Sequence, residues 1–178
     1  MQEVAPKQIT LVLGGVRSGK SRFAQDYAVR GRTVGYIATA RPTDAEMQAK
    51  IERHQKERPN TWCTIEEPLN LDVALTKNDH LDVLLVDCLT VFAANLLTEE
   101  EDTSARERQI ENVCRAMVKA HASIILVSNE VGSGVVPPYP LGRAYRDFLG
   151  ELNQRVAAIA DTVVLMIAGL PLVLKGNL

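Results

Sequence analysis

Residues Gly14-Gly15-Val16-Arg17-Ser18-Gly19-Lys20-Ser21 match the pattern G-x-x-x-x-G-K-[ST] at every fixed position. The glycines allow a tight backbone path that turns amide N–H groups onto an anion, and a helix starting at the end of the loop adds the positive end of its dipole. In such a loop Lys20 reaches the β- and γ-phosphates of a nucleoside triphosphate, and the Ser21 hydroxyl ligates Mg²⁺. A chance glycine-rich turn is the bland alternative, but the motif lies between an apolar run and a helical segment, where a phosphate-binding loop belongs. A second candidate is Asp87, which ends the apolar run Leu81 to Val86. A carboxylate there holds the magnesium, directly or through water; the other reading is a strand-end Asp that caps the next helix.

Met47, Ile51, His54 and Arg58 follow one another at i, i+4, i+7 and i+11, along one face of a helix. Histidine can attack phosphorus, and an arginine one turn away can neutralise a phosphate. A histidine near a helix C-terminus is also favourable through the dipole alone, and on spacing alone that reading outweighs catalysis. Glu66, in Trp62-Cys63-Thr64-Ile65-Glu66, and Asn129-Glu130 follow or end apolar stretches where α/β folds open their ligand crevice. Glu130 in that position orients a water or an acceptor hydroxyl, or is a solvated loop acid. His80 and His121 fall in expected loops and carry less weight.

The elements that must position these residues follow from hydrophobic pattern and punctuation. Ile9 to Leu13, Thr33 to Ala38, Leu81 to Val86 and Ile124 to Val127 are short runs of mainly apolar residues, expected as strands buried on both faces. Helices are expected over Ser21 to Arg30, Asp44 to Arg58 with Asp44 as N-cap, Leu89 to Leu97, Ala105 to Ala120 and Arg143 to Ala160. Glu99 to Ser104 reads as an acidic connection, and Gly132 to Gly142, with three glycines and three prolines, as an extended loop. Val163 to Ala168 and Leu172 to Leu174 read as a closing hairpin turned at Gly169-Leu170-Pro171. Strands alternating with helices imply an α/β fold, a mostly parallel sheet with helices on both faces and a C-terminal antiparallel hairpin.

With 178 residues, 46% of them hydrophobic, the chain reads as a single domain over 1–178 with a short N-terminal extension, Met1 to Lys7. Twenty basic against twenty-two acidic residues give a net charge of −2, which argues against nucleic acid as a partner. Cys63, Cys88 and Cys114 lack metal spacing and read as small apolar fillers in a reducing compartment. The N-terminus has no signal-peptide pattern and no apolar stretch is long enough to span a bilayer, so the cytoplasm is expected.

Several segments resemble the bifunctional adenosylcobinamide kinase / adenosylcobinamide-phosphate guanylyltransferases of cobalamin biosynthesis. They are the Gly14–Ser21 loop, Tyr36-Ile37-Ala38-Thr39-Ala40, Glu46-Met47, Arg53-His54 with Arg58-Pro59, and Trp62 with Thr64 and Glu66. Asp87-Cys88-Leu89-Thr90, Ser128 to Pro137 and Asn153-Gln154-Arg155 complete the set, which runs from about Ile9 to Lys175. The His-x-x-x-Arg-Pro segment and the Asn-Glu-Val-Gly loop are more specific than the phosphate loop.

The resemblance implies a RecA-like P-loop NTPase fold and two reactions. ATP or GTP phosphorylates the aminopropanol hydroxyl of adenosylcobinamide; GTP then guanylylates a histidine, which passes GMP to the new phosphate, giving adenosylcobinamide-GDP. It implies that His54 is the guanylylated residue. It also implies nucleotide contacts at Ala38, Thr39, Ala40, Gln55, Lys56, Glu57, Arg58 and Glu66, beside the loop residues and Asp87. Glu66 is suited to accept from guanine N1–H and N2–H₂, donors that adenine lacks in that arrangement. Arg53 and Arg58 favour the neutral imidazole that a nucleophile requires. Family members are homo-oligomers, often trimers. Two other readings stay open on the residues alone: a single-function small-molecule P-loop kinase, and a RecA-like ATPase or nucleic-acid-binding module.

Overall fold

The computed structural model describes residues 7–42, 44–56 and 58–178; the side chains of Glu46, Met47, Lys50, His54 and Lys56 lie outside the description. Glu57 and most of the expected N-terminal extension also lie outside the described residues.

The mainly apolar runs form strands because a strand covered on both faces needs no polar alternation. Leu11 and Val12 are adjacent and both fully buried, one facing each layer. β1 (Ile9–Gly14), β2 (Val34–Ala38), β4 (Val83–Asp87) and β5 (Ser123–Asn129) lie within two residues of their expected bounds. β3 (Cys63–Glu66) was not legible as a strand: its four residues are too few to show an alternating or continuous apolar pattern. The sheet has the order β3-β2-β4-β5-β1-β6-β7, with β6 (Thr162–Ile167) and β7 (Leu170–Lys175) closing it as an antiparallel pair. All the other pairings are parallel.

Helices cover both faces unequally. α1 (Lys20–Ala28) lies on one face, where Ala24 and Ala28, both fully buried, let its backbone come close to Val12, Leu85 and Val127. The other face buries residues of α3 (Leu71–Lys77), α4 (Leu89–Glu99), α5 (Thr103–Lys119) and α6 (Pro140–Ile159) against Leu11, Leu84, Ile124 and Leu126. α2 (Ala45–Lys56) links β2 to β3, and Gln48 N–H donates to Asp44 C=O at 2.9 Å, which puts Asp44 at the expected cap position.

Four boundaries differ from the sequence reading. α3 is a seven-residue helix, too short to show a periodic pattern. The acidic connection shrinks to three residues because Asp102 caps α5, its Oδ1 accepting from Ser104 N–H at 2.9 Å. The proline-rich loop ends at Tyr139, since Pro140 occupies the first turn of α6, where its missing N–H costs nothing. The closing hairpin turns on Ala168 and Gly169, with φ of 52° and 82°, so Leu170 and Pro171 belong to β7. Proline is tolerated there because β7 is an edge strand. The three cysteines are free, but Cys63 is exposed and therefore not the filler expected; Cys88 and Cys114 are half-buried.

Candidate functional site

The site lies at the carboxyl ends of the parallel strands, where the chain leaves β1 into the Gly15–Gly19 loop and α1. Gly14 has φ of +153°, and a Cβ there would lie 2.6 Å from both the Met166 carbonyl oxygen and Ser18 Oγ, so only glycine fits. Gly19 has φ of +96°. Three further contacts hold the loop: Glu130 N–H donates to Gly14 C=O at 3.1 Å, Gly169 N–H donates to Ser18 C=O at 3.0 Å, and Lys20 Nζ donates to Gly15 C=O at 2.6 Å. The second comes from the turn of the C-terminal hairpin, a brace no residue pattern announced. Lys20 is buried apart from its reach into the loop, and α1 aims its amide end at the same place. A curled backbone, a helix N-terminus and a lysine together fit a polyphosphate.

Asp87 ends β4, which is separated from β1 by β5, so two inter-strand spacings, about 10 Å, lie between them. The cap residue of α4 is Cys88, not Asp87. Instead Asp87 Oδ2 accepts from the Tyr36 hydroxyl at 2.8 Å. Glu66, Ala38 and Asp87 share one register row across β3, β2 and β4, which puts both carboxylates on the same face as α1. The hydroxyl of Ser21 and the carboxylate of Asp87 are hard oxygen donors of the kind Mg²⁺ takes alongside phosphate oxygens.

Tyr36 is almost fully buried. The Arg58 guanidinium sits 3.4 Å from its ring centroid and its Nη1 donates to Thr64 Oγ1 at 3.4 Å, while Trp62 stacks at 6.5 Å. Burial, with the Asp87 charge second, pushes the Tyr36 phenol well above its usual pKa, against the opposing pull of Arg58. The Tyr36–Asp87 bond escaped the sequence reading: it joins residues 51 positions apart, and the only hint was a tyrosine inside a buried strand.

Other site residues divide by what their side chains do. Thr39 is fully buried and its hydroxyl clamps Cys88, donating to the carbonyl at 2.8 Å and accepting from the N–H at 2.9 Å. Ala38 and Ala40 are half-buried at the end of β2, and Glu66 and Gln55 are exposed. Val16 and Arg17 form the outer tip of the loop, Arg17 with φ of 56°. Burial, with the Asp87 charge second, pushes the Cys88 thiol up to about 11, so it stays protonated. Glu130 turns back onto Gly132 N–H, the behaviour of a loop acid. His121 lies at the opposite end of the sheet, with its Nδ1 2.6 Å from Asp79 Oδ2. Among the described residues no cluster of His, Cys, Asp and Glu forms a metal centre, and no helix is long and apolar enough to cross a membrane.

A sequence profile described as CobU, cobinamide kinase / cobinamide phosphate guanyltransferase, matches residues 10–174. The chain is 44% identical over 169 residues to the bifunctional adenosylcobalamin biosynthesis protein CobP of Pseudomonas aeruginosa, covering 94% of this chain and 97% of that one. It is 39% identical over 178 residues to the bifunctional adenosylcobalamin biosynthesis protein CobU of Salmonella typhimurium, covering 93% and 98%. Among solved structures it resembles a type III secretion system ATPase of pathogenic bacteria, with a TM-score of 0.59 at 10% identity over 89% of this chain and 50% of that one. It also resembles the RadB recombinase, with a TM-score of 0.50 at 17% identity over 90% and 74%. At such identities these two likenesses speak for the fold alone, a RecA-like P-loop fold.

Proposed function

Since the chain belongs to the cobinamide kinase / cobinamide phosphate guanyltransferase family, we propose how its residues divide the two reactions of that bifunctional enzyme of cobalamin biosynthesis. It phosphorylates cobinamide from a nucleoside triphosphate, ATP or GTP, and guanylylates the product from GTP. Both reactions use one phosphate cradle: the amides of residues 14–19, the α1 N-terminus and Lys20, which neutralises the β- and γ-phosphates. Ser21 and Asp87 would hold Mg²⁺, which would neutralise charge on the phosphate oxygens.

In the kinase step the aminopropanol hydroxyl of adenosylcobinamide attacks the γ-phosphorus, losing its proton, and the nucleoside diphosphate leaves. In the transferase step the neutral imidazole of His54 attacks the α-phosphorus of GTP; an N–P bond forms and pyrophosphate leaves. A phosphate oxygen of adenosylcobinamide phosphate then attacks that phosphorus and releases His54, giving adenosylcobinamide-GDP. Arg53 and Arg58 disfavour the imidazolium, and Glu66 reads the guanine edge. Ala38, Thr39, Ala40, Gln55, Lys56, Glu57 and Arg58 line the nucleotide. The observation that carries this reading is a family match spanning residues 10–174 on a chain whose β1–α1 turn is folded as a phosphate cradle.

GTP labelled at the α-phosphorus, with Mg²⁺, is expected to leave an acid-labile, alkali-stable GMP adduct. Its survival in His54→Ala would refute the assignment of the nucleophile; its absence in the unsubstituted protein would leave a kinase alone. We further assign the chain to one domain, to the cytoplasm, and to a homo-oligomer, for instance a trimer. The exposed apolar side chains Leu170, Leu172 and Leu174 on edge strand β7 support association, which light scattering after gel filtration tests.

A further inference from the structure

A buried phenol needs a hydrogen-bond partner, and a backbone carbonyl is the usual one. Tyr36 uses the carboxylate at the end of the neighbouring strand instead. Tyr36 pairs with Leu85 in the β2–β4 register and Ala38 with Asp87, so Tyr36 and Asp87 are diagonal neighbours on one face. An aromatic side chain spans that separation, and the hydroxyl meets Oδ2 at 2.8 Å. We propose that Tyr36 is a positioning residue for both reactions: its hydroxyl fixes the Asp87 carboxylate in the orientation that serves the nucleotide's divalent cation, and Arg58 fixes Tyr36.

The hydroxyl engages one carboxylate oxygen, which removes the rotation about the Cβ–Cγ bond and leaves Oδ1 for the cation or its water. The ring is restrained in turn, by Arg58 over its face and by Trp62 stacked beside it. Arg58 lies two residues past the last residue of α2, and α2 carries His54. The carboxylate shared by both reactions is therefore tied, through one ring, to the segment specific to guanylyl transfer. Hydrogen-bond partners of metal-binding groups typically change metal affinity or activity by about 10–100-fold when removed.

This inference rests on the reading of Asp87 as the cation's carboxylate, so the experiment separates the two. Mn²⁺ binding to the GTP-bound protein is measured by electron paramagnetic resonance for the unsubstituted protein, Tyr36→Phe and Asp87→Asn, with GTP affinity in EDTA measured alongside. Tyr36→Phe is expected to weaken Mn²⁺ about tenfold and leave GTP affinity in EDTA unchanged, while Asp87→Asn weakens Mn²⁺ further. Unchanged Mn²⁺ affinity in Tyr36→Phe alone overturns the role of Tyr36 and keeps that of Asp87. Unchanged affinity in both overturns both. The question can also be asked of the unsubstituted protein, by following the ¹³Cζ resonance of Tyr36 as Mg²⁺ is added to the GTP complex. A resonance that moves supports the tie, and one that stays fixed overturns it.

Discussion

The β1–α1 turn and the stretch from α2 to β3 both carry residues to which nucleotide chemistry is assigned in the proposal, yet they are held in opposite ways. The first is pinned by backbone bonds from Glu130, just past β5, and from the β6–β7 turn, and Gly14 has no room for a methyl group. The described side chains of the second are mostly exposed, with Gln48, Glu52, Arg53 and Gln55 all at the surface, and Arg58 on Tyr36 ties its end to the sheet. Phosphate binding by amides depends on backbone atoms that cannot be aimed one at a time, so it needs a loop constrained on several sides. A side-chain nucleophile needs only its own helix. On the proposed assignment, the chemistry common to both reactions sits on the heavily constrained region, and the chemistry peculiar to one sits on the lightly packed region.

The largest expected effect tests that division directly. Lys20→Ala should slow both phosphorylation and adduct formation about a thousandfold, the scale of losing a preorganised charge on the transferring group. His54→Ala should abolish the GMP adduct and leave phosphorylation intact. Rates of the two half-reactions, measured separately, check this; a loss of phosphorylation in His54→Ala breaks the comparison.

A methyl group at Gly14 would press on a backbone carbonyl and Ser18, so Gly14→Ala should destabilise the fold by about 1–3 kcal/mol, read as a lower denaturation midpoint. Gln48→Ala, on the exposed α2 surface, should stay within about 0.5 kcal/mol. Similar losses at the two positions would mean that α2 is held as firmly as the loop.

A smaller effect is expected of Glu66→Gln, which leaves one guanine donor poorly matched. Discrimination of GTP over ATP in adduct formation should fall about tenfold, with phosphorylation unaffected. An unchanged ratio would move base recognition elsewhere.

The smallest effect belongs to neither region. Burial raises the Asp79 carboxyl, but bonds from Ala122 N–H, the His121 ring and His121 N–H outweigh it and hold the group below its usual range. A lowered folded pKa gives stability that is present above the unfolded value, about 4, and is lost as pH falls through the folded one. Asp79→Asn should therefore flatten the acid side of the stability profile in urea titrations from pH 6 to pH 3, without touching either reaction.

Most of the fold was legible because strands buried on both faces carry runs of apolar residues in place of polar alternation, and β1, β2, β4 and β5 do. β3 and α3 were not, since four and seven residues are too few to show a period. At the site, the loop and Asp87 stood out by type and position, while the role proposed for His54 comes from the family resemblance, its spacing alone favouring a histidine placed by the helix dipole.

By itself the sequence determined the phosphate loop, the parallel order of strand and helix, and the family. Those depend on residue type and local spacing, which the chain states outright. Only the tertiary structure decided that Asp87 answers to Tyr36 and that the β6–β7 turn braces Ser18. Both are contacts between residues far apart in the chain, 51 positions in the first case, and they exist only once the sheet has set its strand order and register.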